Sequence, residues 1–121
     1  MSKTIFKGQC HIATLAKSER SKQAFDIFAK VPRSEINGET LKCSIDYPLR
    51  EEKTFIVELY GSSFSDDIVK LDVVEIAHQV ARQYLSVWKK NKKQFEGHHI
   101  GDLFIEQMDV VDGELIVSVG S

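Results

Sequence analysis

The run from Gly61 to Gly97, GSSFSDDIVKLDVVEIAHQVARQYLSVWKKNKKQFEG, does most to limit what this chain can fold into. Val73, Ile76, Ala77, Val80, Ala81, Tyr84 and Trp88 recur at helical spacing and make one broad apolar stripe. Ser63 or Ser65 can cap such a helix. Asp66 and Asp67 then fall in its first turn, where the helix dipole favours negative charge, and Gly97 is a natural stop. A stripe that wide needs a sheet to cover, so the rest of the chain must supply strands.

The first sixty residues read that way. TIFKGQCHIATLA alternates, with Phe6, Cys10 and Ile12 on one face and Lys7, Gln9 and His11 on the other. Residues 22–31 can be a strand, with Phe25, Ile27, Ala29 and Val31 on one face, or a helix running from a Ser18 cap. Pro32 and the sustained alternation favour the strand. Asn37-Gly38 suits a turn with positive φ. ETLKCSIDYPL puts Leu41, Cys43, Ile45 and Tyr47 inward, and KTFIVELYG does the same with Phe55, Val57 and Leu59. After the helix, Asp112-Gly113 marks a type I′ hairpin. Its two-residue loop sets Val110 opposite Leu115, Met108 opposite Val117 and Glu106 opposite Val119. The expected fold is α+β, one domain over 1–121. It is an antiparallel sheet in ββββ-α-ββ order, with one long helix on one face.

Composition decides the class. The chain has 121 residues, 42% hydrophobic and 28% charged, enough for a core and unlike a disordered chain. A formal net charge of −2 argues against a protein built to grip nucleic acid or an anionic membrane. No apolar run suits a signal peptide or a membrane span, and Cys10 and Cys43 fit free thiols in a reducing compartment. A cytoplasmic protein is expected.

Four places invite chemistry. Lys89, Lys90, Lys92 and Lys93 crowd the helix end; cations there answer the C-terminal carbonyls, which accounts for them without a phosphate or nucleic-acid site. His98 and His99 are adjacent, so in an extended segment they point apart and do not share a metal; no metal and no cofactor is expected. His78 lies at the edge of the stripe. Glu106, on the hairpin's core face, is either a carboxylate with a raised pKa or with a partner, or the mark of a bulge near Gln107 or of a face that reaches solvent at that end, with Leu103 and Ile105 then the inward pair. A pocket between helix and sheet would use Glu106, His78, Tyr84 or His98, with no residue assigned a catalytic role. Cys10 beside His11 is no nucleophile–base pair on a strand, since the two face opposite ways.

The outward face is not clean. Phe28, Ile56, Tyr60 and Ile116 fall out of phase with the core residues and would form one apolar patch if the strands pair as drawn. A homodimer or a contact with another protein would cover it.

From Asp66 to Val119, a helix ending near a tryptophan and then the hairpin GDLFIEQMDVVDGELIVSV resemble small bacterial proteins of the immunity and integron-cassette kind. The resemblance covers less than half of the chain. It implies a small cytoplasmic binding protein from a mobile or accessory gene pool, with a specific macromolecular or small-molecule partner, and carries over no functional residue. The expectation is thus a non-catalytic binding protein, dimeric through its sheet. The alternatives are a small ligand-binding domain or enzyme with the pocket named above, and a nucleic-acid accessory protein using the lysine run.

Overall fold

The computed structural model describes residues 2–17, 28–36 and 38–121. The elements are β1 (Lys3–His11), α1 (Ile12–Lys17), β2 (Phe28–Pro32), β3 (Thr40–Ile45), β4 (Lys53–Glu58), β5 (Ser63–Phe64), β6 (Ile68–Asp72), α2 (Val73–Lys90), β7 (Phe104–Val111) and β8 (Glu114–Gly120). The chain is α+β, with the long helix on a sheet as expected, but the strands divide between two sheets. One is five-stranded in the order β1-β7-β8-β3-β4; the other is β2-β6-β5. Neighbours are antiparallel except β3 and β8, which run parallel. One cluster joins the two sheets and both helices: Ile12 and Leu15 of α1, Val31 and Leu71 of the small sheet, Leu41, Val57, Ile105 and Met108 of the large one, and Val80 and Tyr84 of α2.

Four expectations change. Ile12 does not continue β1. IATLAK turns into α1 and buries Ile12, Leu15 and Ala16, an i, i+3, i+4 set among good helix formers. The long helix starts at Val73, not near Ser63. Val69 and Leu71 alternate with Lys70 as a strand, and Ser65 closes the turn before them: its hydroxyl donates to the Ile68 carbonyl at 2.7 Å and accepts from the Ile68 N–H at 3.3 Å. Asp72 is the N-cap, accepting from the Glu75 N–H at 3.2 Å. The ββββ meander therefore fails, because β6, concealed in the expected helix, is the partner that takes β2 into a separate sheet. The fourth change is Tyr47, which lies beyond β3 and is exposed instead of inward. Of residues 22–31, only 28–31 are described, and they are strand; the Ser18 cap, Phe25, Ile27 and Asn37 lie outside the described residues.

The last hairpin holds. Val110 faces Leu115 and Met108 faces Val117, but the register shifts between Ile105 and Gln107, so Ile105 rather than Glu106 faces Val119. Glu106 is the bulged residue and is exposed, while Leu103 and Ile105 are fully buried. Glu35 fixes this hairpin from outside. Its carboxylate accepts from the Asp112 N–H at 2.8 Å and its carbonyl from the Gly113 N–H at 2.6 Å.

Candidate functional site

The expected pocket residues separate into three places. Tyr84, buried on α2, donates to the carbonyl of Tyr47 at 2.8 Å, and burial pushes its phenol up. His98 sets its ring edge-on to the Tyr47 ring, with centroids 5.6 Å apart. Those two therefore meet at Tyr47, beside a cleft of about 430 Å³ that Asp46, Arg50 and Glu96 also line. Arg50 and Glu96 pair there at 3.3 Å, both well exposed. His78 is buried on the flank of the α2 stripe and does not line that cleft. Glu106 lies on the outward side of β7, over Gly120 and near Lys7 and Ser118. The four do not make one pocket between helix and sheet, because the bulge turns Glu106 away.

The lysine-rich stretch ends a helix. α2 stops at Lys90, and Asn91 caps a short turn over Lys92–Phe95 by accepting from the Lys93 N–H at 3.1 Å. Phe95 folds back, fully buried, against Trp88 with centroids 5.1 Å apart. His99 lies edge-on to Trp88 at 4.9 Å, and its Nδ1 accepts from the Gly101 N–H at 2.9 Å. The adjacent histidines do point apart, one to Tyr47 and one to Trp88. Among the described residues no three His, Cys, Asp or Glu side chains stand together as a metal site. Both cysteines are free thiols; burial pushes Cys43 up to about 12 and raises Cys10 as well.

The most developed surface feature is an edge. β4 ends the large sheet, and its main-chain groups alternate between β3 and the open side. Four hydrogen bonds fix the phase. Leu59 N–H donates to Glu39, on the β3 side, at 3.1 Å; Lys42, opposite Ile56, donates away from β4 to Gly113 at 3.1 Å; and Glu58 turns both its groups outward to Gln79 of α2. The Gln79 amide accepts from the Glu58 N–H at 2.9 Å and donates to the Glu58 carbonyl at 2.6 Å, as a neighbouring strand would. By the same alternation Thr54 and Ile56 direct their N–H and C=O groups to the open side. At the far end Gln94 closes the edge, taking the Arg50 N–H on its carbonyl at 2.9 Å and the Glu51 N–H on its side chain at 3.2 Å. Between Gln79 and Gln94 runs a groove of about 410 Å³, with Lys53 and Thr54 on one wall and Gln83, Ser86, Val87 and Lys90 of α2 on the other. Sequence reasoning missed Gln79 and Gln94; a glutamine outside an apolar stripe carries no signal of the edge it will close.

The four residues expected to form an interface are all exposed: Phe28 at 40%, Ile56 at 55%, Tyr60 at 61% and Ile116 at 46%. They do not form one patch. Phe28 belongs to the small sheet, Tyr60 follows the end of β4, and Lys42 and Ser44 of β3 stand between the strands of Ile56 and Ile116. Among the described residues no helix is long and apolar enough to cross a membrane. Comparison with family models, with curated proteins and with solved structures finds no match to the chain.

Proposed function

We propose that this chain is a non-catalytic interaction protein that receives an extended, acidic segment of another protein along the open edge of β4. One observation carries the reading: among the described residues, an edge closed at both ends by glutamines and left open between them at Thr54 and Ile56. Strand addition supplies main-chain hydrogen bonds for affinity, while neighbouring side chains set the choice of partner. Ile56 offers an apolar neighbour on the outward face, and Val87 with the stem of Lys90 offers one on the helix side. Charge favours an acidic partner. Lys53, which also meets Glu51 at 3.6 Å, and Lys90 line the groove, with Glu52 the one carboxylate among its lining residues. The resemblance of residues 66–119 to immunity-type proteins points to the same kind of role.

The probe is an acetylated hexapeptide of alternating glutamate and valine, with a lysine–valine peptide as control. The amides of Thr54, Ile56, Gln83 and Val87 shift with the acidic peptide and not with the basic one. Equal response to both peptides, or none at β4, removes the reading. Sedimentation returns a 13.7 kDa monomer on this account. A dimer split by Ile56→Asp would make a second copy the occupant and overturn the choice of partner. A small-molecule site at the Tyr47–His98 cleft is the other reading, supported by that cleft and its aromatic wall.

A further inference from the structure

The outward face of the small sheet carries a conflict that the core does not explain. Lys30 of β2 and Lys70 of β6 are direct cross-strand partners, and Ser63 of β5 pairs with Lys70 from the other side. Side chains at partner positions stand side by side, so two ammonium groups share one small area, an unfavourable arrangement in a sheet. Among the described residues neither lysine has an ion pair. Asp66 and Asp67 are exposed in the turn beyond Ser65, and Asp72 is buried as the helix cap. The lysines also have an apolar rim. Phe28 is exposed with Lys70 Nζ 4.8 Å from its ring centre, Ile68 is exposed on the same face, and Phe64 lies beneath Arg33 at 5.8 Å. Lys30, Ser63, Phe64, Ser65, Ile68 and Lys70 line a shallow cup of about 320 Å³, and Phe28 lies next to it beside Lys70.

We infer that this cup binds a phosphate monoester of a small planar or apolar alcohol, with the phosphate between Lys30 and Lys70 and the organic group over Phe28 and Ile68. A dianion resolves the like-charge pair, the Ser63 hydroxyl is placed to donate to a third oxygen, and the rim covers what inorganic phosphate leaves bare. Lysine serves such a site as a point charge. The site lies on the other sheet from the β4 groove and does not depend on it.

The chain carries its own control. If charge density alone governed anion binding, the run at Lys89, Lys90, Lys92 and Lys93 would win, since it holds four ammonium groups within five residues. The experiment is an amide-resolved NMR titration of the full chain with phenyl phosphate and, separately, with inorganic phosphate. Phenyl phosphate shifts Phe28, Lys30, Ser63 and Lys70, binds several-fold tighter than inorganic phosphate, and loses about tenfold in affinity in Lys70→Gln, the size of one charge-assisted hydrogen bond. Lys30→Gln repeats the loss from the other strand, with the remaining amide spectrum unchanged as proof of fold. Larger shifts at residues 89–93 than at 63–70 overturn the inference. So does equal affinity for the two anions, or a Lys70→Gln protein that binds as before.

Discussion

A pair of proline substitutions on adjacent residues of β4 reads the phase of the strand edge. Val57 is fully buried and directs its N–H toward β3, opposite Leu41; Ile56 is exposed and directs its N–H to the open side. Val57→Pro deletes a ladder donor and leaves a buried carbonyl unmet, at about 1–3 kcal/mol. Losing the fit of a buried β-branched side chain adds about 1 kcal/mol, for a total of about 3 kcal/mol. Ile56→Pro removes no ladder bond. It holds Phe55 in the extended region that a strand already uses, and costs about 1 kcal/mol through its own restricted φ. The difference of about 2 kcal/mol becomes a gap of about 1 M between urea midpoints at a slope of about 2 kcal/mol/M, followed by the fluorescence of the lone tryptophan, Trp88. Equal midpoints, or a lower one for Ile56→Pro, would refute the alternation from which the open edge is derived.

Three further outcomes follow from the same structure. Asp72→Ala lowers stability by about 1 kcal/mol through loss of the cap on α2, while Ser65→Ala leaves helix content by circular dichroism unchanged, since Ser65 closes a turn and caps no helix. Trp88→Ala costs about 2–3 kcal/mol by chemical denaturation, below the roughly 3–5 kcal/mol of a fully buried aromatic, because the ring is half-buried over Phe95 and His99. Glu35 titrates below the usual carboxylate range because its carboxylate accepts the Asp112 backbone N–H. Its contribution is therefore complete above the unfolded glutamate value of about 4.3 and is lost as pH falls through the lower folded value. The denaturation midpoint of Glu35→Gln falls less steeply with acid than that of the parent.

Much of the large sheet was legible because its signals are local. Leu41, Cys43 and Ile45, with Val57 and Leu59, alternate cleanly and are buried as that pattern requires. Asp112-Gly113 fixed the hairpin register as far as the bulge. The α2 stripe was correct from Val73 to Tyr84, but its start was not, because IVKLD reads equally well as helix or strand until a partner is known. That partner, β2, is remote in sequence, and so is the parallel pairing of β3 with β8. No local pattern encodes either. Of the candidate site residues, Ile56 was legible as an apolar side chain facing outward. The open groups beside it were not, since they depend on which strand ends the sheet and on how far Gln79 reaches along it.

Amide hydrogen exchange along β4 tests the proposal most directly, because it reports strand addition residue by residue. In the free protein Phe55 and Val57 exchange slowly through their bonds to β3, while Thr54 and Ile56 exchange as open amides. Saturation with the glutamate–valine peptide slows Thr54 and Ile56 to the level of their neighbours and leaves the rest of the sheet as it was. Slow exchange at Thr54 and Ile56 in the free monomer, or no change on saturation, would contradict the claim that this edge receives a partner strand.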